Sequence, residues 1–534
     1  MRQIRHGESI ELQQITAELA ETGKLNAGSA SANGFASSDV VASPSALTHF
    51  DHLFRDLVED SNNLLEESPK TVLKLRSLGE TMRDPGFLED SGEGIPDSGV
   101  PSAYTYFGQF VTHEIIFEDA SSIFADIAKP DVEPISLGLI REKIVNSRSP
   151  YLDLDSVYGK GSVRDHDWMR VGRVSYSLNG RPAGKDDFND LPRLERSAKN
   201  ERRDRVAQIG DKRNDENLII SQMHVAFLRA HNRLINENHK FDGASKLIRQ
   251  HYQHIVLKDL LERIIDPNIL ESCRNRQKNE FFKPVDDRFF IPLEFSAAAF
   301  RFGHSMVRAA YNKFNERNST AGLDMLFDFT RFSGQLGGRG NDSPTLTEDW
   351  IIRWEHFVDT GQVFNRARRI DTTLVEPLFS LKPEIGARLP FEPSLAVRNL
   401  LRGYVLRLPT GQALARKMGI TPLADNQLED VARKVDPTRA QFNALTEAGF
   451  ISHTPLWYYI LAEAAHARAQ DGTDHLGPVG STIVAEVILE ILRRSDDSIL
   501  GPSFTPDKPW VPTLPGSKQG EFDLSDLLRF AGVL

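Results

Sequence analysis

Apolar residues recur at intervals of three and four along much of the chain, the period that lays them on one face of an α-helix. Between Asn217 and Asn238 the series is Ile219, Met223, Ala226, Ala230 and Leu234, which puts an apolar stripe on one face. Ser481 to Arg494 repeats the arrangement with Ile483, Val484, Val487, Ile488 and Ile491. Runs with the two-residue period of a strand are few and short, and turn clusters such as Gly477-Pro478-Val479-Gly480 separate the helical stretches. The pattern predicts a mainly α fold, a large single helical domain with few short strands. From Gly28 to Ser45 the chain is instead rich in Ser, Ala and Gly with almost no bulky apolar residue. Residues 1–45 are therefore expected to form an N-terminal extension with a flexible segment, and 46–534 the folded domain.

Composition narrows the class. With 534 residues, 40% of them hydrophobic, the chain can bury a large core. No stretch approaches the roughly 18 uninterrupted apolar residues that mark a membrane helix, so no transmembrane segment is expected. The opening residues lack the apolar centre of a signal peptide. Cytoplasm is the default location, with export independent of a signal peptide left open. The single cysteine, Cys273, rules out an internal disulfide, as suits a reducing compartment. A net charge of −11 argues against a nucleic-acid partner. One run leans the other way: Arg193, Arg196, Lys199, Arg202, Arg203, Arg205, Lys212 and Arg213. Acidic residues interrupt it and no aromatics interleave, so it reads as a solvated loop.

Two histidines hold the candidate chemistry. His113 lies in Tyr106-Phe107-Gly108-Gln109-Phe110-Val111-Thr112-His113-Glu114, and His304 in Phe300-Arg301-Phe302-Gly303-His304. A histidine on an apolar helix usually only packs, but two from distant segments could serve the two faces of one redox metal cofactor. His224 and His231, seven positions apart with no His-Glu-x-x-His pattern, read as packing residues.

The surroundings of these histidines resemble the animal-type haem peroxidases of the peroxidase–cyclooxygenase superfamily, in a bacterial form, from about residue 90 to the last helices. Gly108-Gln109-Phe110-Val111-Thr112-His113-Glu114 is similar to the distal motif Gly-Gln-x-x-Asp-His-Asp. The resemblance makes His113 the distal histidine and Gln109 the partner of the water or halide above the iron. Gly210-Asp211-Lys212-Arg213-Asn214-Asp215-Glu216-Asn217 resembles the segment supplying the distal arginine, Arg213. His304 would ligate iron, and Asn399, with Leu408-Pro409 at the matching spacing, would accept a hydrogen bond from its other ring nitrogen. Ser149-Pro150-Tyr151-Leu152-Asp153-Leu154-Asp155 resembles the calcium loop, with Glu114, Ser149, Tyr151 through its carbonyl, Asp153 and Asp155 as ligands. The implied cofactors are haem b and Ca2+.

The resemblance implies a haem-dependent peroxidase that reduces hydrogen peroxide. It would oxidise a halide, pseudohalide or small organic donor through a ferryl intermediate. His113, neutral at working pH, would move a proton between the two peroxide oxygens, while Arg213 stabilises the charge that develops. The chain departs from mammalian members at Thr112, which cannot form the haem ester made by aspartate there, whereas Glu216 could form the second ester. Asn217 excludes a methionine sulfonium link. With fewer links distorting the macrocycle, chloride is expected to be a poor donor and iodide, bromide, thiocyanate or phenols better ones. Two alternatives compete. A fatty-acid dioxygenase would need tyrosine three residues before the proximal histidine, where this chain has Arg301. A non-catalytic haem-binding protein would have no use for both His113 and Arg213.

Overall fold

The computed structural model describes residues 48–84, 97–119, 127–174, 188–197, 199–200, 203–276, 278–284, 289–328, 330, 336, 343–382, 391–495, 497–504, 507–518 and 520–534. The extension expected over 1–45 lies outside them. Helices dominate: α1 (Pro69–Thr81), α2 (Ala103–Ile115), α3 (Leu218–Asn236), α4 (Phe241–Ile255), α5 (Leu395–Val405), α6 (Leu456–Asp471) and α7 (Pro478–Arg494) frame the interior. Their ends follow local chemistry. Asn217 caps α3 by accepting from the Ile220 N–H at 2.9 Å, and Ser394 caps α5 through the Val397 N–H at 3.3 Å. Pro478 opens α7, whose Val479 N–H donates to Glu463 of α6 at 2.8 Å. Gly472 ends α6 at φ 75°, the left-handed conformation that glycine adopts without a Cβ clash.

Strands are short, as expected. β1 (Thr48–Asp51), β2 (Glu118–Asp119), β3 (Val145–Asn146) and β4 (Phe290–Pro292) form one sheet in the order β2-β3-β1-β4. β1 runs parallel to β4, with His49 beside Phe290, and antiparallel to β3. The sheet thereby fastens the chain leaving α2 to the chain that leads toward His304.

One contiguous apolar core extends from Phe50 to Ala531. On the buried side of α2, Phe110 stacks on Phe227 of α3 with centroids 4.8 Å apart and planes at 8°, while Tyr252 of α4 meets both rings edge-on. Such pairs add about 1 kcal/mol each beyond area burial. α1 crosses α5 at Gly79, where a Cβ would lie 2.7 Å from Val397 Cγ2 and 2.9 Å from Val397 N. Among the described residues no helix is long and apolar enough to cross a membrane.

The basic run corrects part of one expectation: Arg196, Lys199 and Arg203 are exposed as expected, but three of its arginines are not. Arg193 is buried rather than solvated, its guanidinium bridging Asp190 and Asp215 at 2.7 to 2.9 Å. Arg205 and Arg213 are buried as well. Asp190 and Asp215, flanking the run, supply the counter-charge for Arg193, while Asp204 and Asp211 within it pair with Arg205 and Arg213.

Candidate active site

α2 presents two different faces. Thr105, Gln109, Thr112 and Ile116 recur at helical spacing and line an internal cavity, with Gly108 and His113 beside them. The cavity holds about 860 Å3 of space not filled by protein atoms, some of it continuous with solvent. Arg213, Asn217, Arg301, Phe302, Gly303 and His304 complete much of its wall. The two histidines, 191 positions apart, therefore meet at one chamber. Gly108 faces open space, since a Cβ there would meet no atom within 4 Å.

His113 is 2% exposed. Burial first, then the nearby Arg213 charge, lowers its pKa to about 3, so the ring is neutral near pH 7. Its Nδ1 lies 2.8 Å from Asn214 Oδ1 and its Nε2 3.7 Å from Glu216 Oε1. Gln109 donates from Nε2 to Glu216 and accepts from Asn217 Nδ2 at 3.3 Å. Glu216 is buried against His113 and Gln109, both of which line the cavity. The Thr112 hydroxyl turns back to the Gly108 carbonyl at 2.9 Å.

Arg213 sits in a 3-10 turn, Lys212–Asp215, whose first free N–H is capped by Asp211 at 2.9 Å. Its guanidinium donates to Asp211 from Nη2 at 2.7 Å and from Nε at 3.1 Å. Nη2 also donates to the His113 carbonyl at 3.0 Å, and the group rests 4.5 Å over the Phe117 ring. Burial alone would raise Asp211, but Arg213 and Arg148 together hold its carboxyl well below the usual carboxylate range. The guanidinium is thus fixed at the cavity edge by an anion behind it.

His304 ends a 3-10 segment, Ala299–His304, anchored by Trp457 of α6, whose Nε1 donates to the Arg301 carbonyl at 3.3 Å. Burial, then the charges of Arg301, Arg398 and Arg402, lowers its pKa to about 3. Asn399 on α5 reaches its Nδ1 at 2.8 Å. The amide is turned opposite to expectation: Nδ2 faces the histidine, while Oδ1 faces Arg301 Nη1 at 3.4 Å. A guanidinium only donates, so it draws the amide oxygen to itself. Arg402 is paired with Glu118 of β2 at 2.8 Å, both side chains 1% exposed. Arg402, the last residue of the stretch Asn399-Leu400-Leu401-Arg402, was given no role by the sequence, and Glu118 lies in no motif.

The other face of α2 carries Glu114. Ligand oxygens of Glu114, Asp153 and Asp155 lie within 4.8 Å of one another, a donor set suited to a hard cation. Leu154 takes φ 57°, a left-handed bend between the two aspartates. Ser149 donates its hydroxyl to Asp153 at 2.6 Å, and Tyr151, in the same loop, packs its ring 5.6 Å from Phe289. Burial, then the Asp155 charge, raises Glu114; burial, aided by Asp153 and opposed by Arg148, raises Asp155 to about 7. Glu114 Oε1 is buried with no hydrogen-bond partner among the described residues. A divalent ion would fit this need. Arg148, which no motif marked, already donates to Asp155.

Residues 133–336 match the family model described as animal haem peroxidase, a span that includes Arg213, Glu216, His304 and the Ser149–Asp155 loop. Peroxidase A from Dictyostelium discoideum superposes with a TM-score of 0.54 at 16% identity, covering 90% of this chain and 93% of that one. The fold is that of the peroxidase–cyclooxygenase class. In sequence, Peroxinectin A of Dictyostelium discoideum is 23% identical over 395 residues, 66% of this chain and 68% of that protein. A peroxidase-like protein of Margaritifera margaritifera is 28% identical over 227 residues, 38% of this chain and 27% of its own length. The chain thus has peroxidase homologues, and spans little more than a quarter of the last.

Proposed function

We propose that this chain is a haem peroxidase that reduces hydrogen peroxide and oxidises a small donor. The observation that supports the reading is the meeting of His113, Arg213 and His304 at one cavity. His304 would hold the iron, and Asn399, with its amide turned so that the oxygen accepts from Nδ1–H, would orient that ring and leave Nε2 free to ligate. Arg301, at the wall, offers a cation to the carboxylates of a porphyrin. When bound, the haem would supply the iron at which the peroxide bond is cleaved.

The chain's own groups handle protons and charge. His113 Nε2, neutral, accepts the proton of one peroxide oxygen and returns it to the other. Arg213 stabilises the negative charge that gathers on the departing oxygen, an effect worth about 3 to 4 kcal/mol where one such donor has been removed from other enzymes. Gln109 and Asn217 complete the polar edge. Glu216 is the one position for an ester link, because the Thr112 hydroxyl cannot supply a second. Ca2+ held by Glu114, Asp153 and Asp155, with Ser149 and the Tyr151 carbonyl, would brace the helix bearing His113. Chloride is expected to be a poor donor; iodide, bromide, thiocyanate and phenols are better candidates.

The test is haem loading of the purified chain followed by peroxide with a phenolic donor. Stoichiometric haem, peroxide-dependent turnover, and loss of about 10² to 10³ in rate in Arg213→Gln support the reading. A protein that takes up no haem, or turns over equally well after His113→Ala, overturns it.

A further inference from the structure

Asn214 was singled out by no motif, yet it is the residue on which the His113 ring hangs. It is fully buried, at the third position of the Lys212–Asp215 turn. Oδ1 lies 2.8 Å from His113 Nδ1. Nδ2 donates to Ser156 Oγ at 3.1 Å and lies 3.0 Å from His224 Nδ1. Ser156 in turn donates its N–H to Glu114 Oε2 at 3.5 Å. An amide oxygen only accepts and an amide nitrogen only donates. His113 must therefore hold its proton on Nδ1, leaving a lone pair on Nε2. His224 must accept at Nδ1 and keep its own proton on Nε2.

We infer that Asn214 is a positioning residue, which fixes the tautomer and ring angle of His113 so that Nε2 meets the cavity as a base. The inference rests on the peroxidase reading for its purpose. Were the amide turned over, Nδ2 would face Nδ1, the imidazole proton would sit on Nε2, and the ring would present a donor where an acceptor is needed. Turning it over requires both Ser156 and His224 to reverse their hydrogen-bonding roles. His224, which its spacing marks only as a packing residue, is thus a second anchor of the same device.

The experiment compares Asn214→Val and Asn214→Asp with wild type, all as haem-loaded full chains. Hydrogen cyanide is the second probe beside hydrogen peroxide, because it must surrender a proton to a base as it binds iron. In Asn214→Val, both association rates should fall by about 10² to 10³, while cyanide dissociation and the KM of the reducing donor stay put. Asn214→Asp should recover both rates to within about tenfold of wild type, since a carboxylate oxygen still accepts from Nδ1–H. Rates in Asn214→Val within about threefold of wild type overturn the inference, as does an Asp variant no faster than the Val one. Should Asn214→Val fail to hold haem, the Asp variant decides alone: near-wild-type rates sustain the inference and a loss beyond about 10² overturns it. A wild type that binds cyanide quickly but does not react with peroxide sinks the peroxidase reading and leaves the cyanide comparison to judge Asn214.

Discussion

Replacing Gly79 by alanine tests whether the crossing of α1 and α5 sets the geometry at His304. The added Cβ would lie 2.7, 2.9 and 3.0 Å from Val397 Cγ2, N and Cα. Ordinary contact begins near 3.4 Å. Two of the three atoms are backbone, so no rotamer change relieves the clash and the helices must part by roughly 0.5 to 1 Å. Overpacking of this kind costs about 1 to 3 kcal/mol, offset by nearly 1 kcal/mol of helix propensity gained on replacing glycine. The net expectation is a loss of up to about 2 kcal/mol. α5 also carries Asn399, 2.8 Å from His304 Nδ1, and Arg402, 2.8 Å from Glu118. Stretching the first bond past hydrogen-bonding distance removes about 1 kcal/mol of support from the ring, which is about fivefold in haem retention. The assay is urea unfolding of the haem-free chain together with transfer of haem to a competing apoprotein. A Gly79→Ala protein of wild-type stability and wild-type haem release would refute the reasoning.

Three further outcomes are expected. Acid-acetone should leave part of the haem on wild type but extract all of it from Glu216→Gln; complete extraction from wild type means that no ester forms. Chelation should lower the thermal midpoint of calcium-loaded protein, by the equivalent of about 2.7 kcal/mol if calcium was present at a hundred times its Kd, and Asp153→Asn should abolish the response. A midpoint indifferent to chelator in protein shown by elemental analysis to contain calcium refutes that role. At His251, Nε2 accepts from the Thr513 and Leu514 N–H groups at 3.0 and 3.1 Å, and burial lowers its pKa to about 4. The unfolded chain takes the proton first as pH falls. The ring's contribution is therefore complete above pH 6.5 and lost on descending through about 4, roughly 3 kcal/mol in all. The fluorescence difference between wild type and Trp510→Phe should change across that window, since Trp510 packs 5.0 Å from His251; a flat difference contradicts it.

Periodicity placed α3 and α7 to within a few residues, because both carry an apolar stripe at helical spacing and their own end signals in Asn217 and Pro478, although the fold buries them on nearly every side. It also anticipated short strands. Motif order brought His113, Arg213 and His304 into view before any geometry was known. The residues it missed depend on contacts between distant positions. Asn214 becomes significant only when His113, Ser156 and His224 surround it, and Arg148 only when Asp155 and Asp211 do. The run at 193–213 looked solvated because its balancing charge, Asp190 and Asp215 around Arg193, is recognisable only in the folded chain. The orientation of Asn399 was equally beyond a motif, being decided by Arg301 from another segment.

Gly108 has a consequence for what the chamber admits. Its place in α2 is ordinary helix and its outward side meets nothing within 4 Å, so the fold does not require glycine there. The missing side chain instead widens the room beside the proton-handling ring. Alanine there would add a Cβ that meets no neighbour, and serine or valine would narrow the space further. On the peroxidase reading, the breadth of donors would therefore be adjustable at a single site, separately from the chemistry.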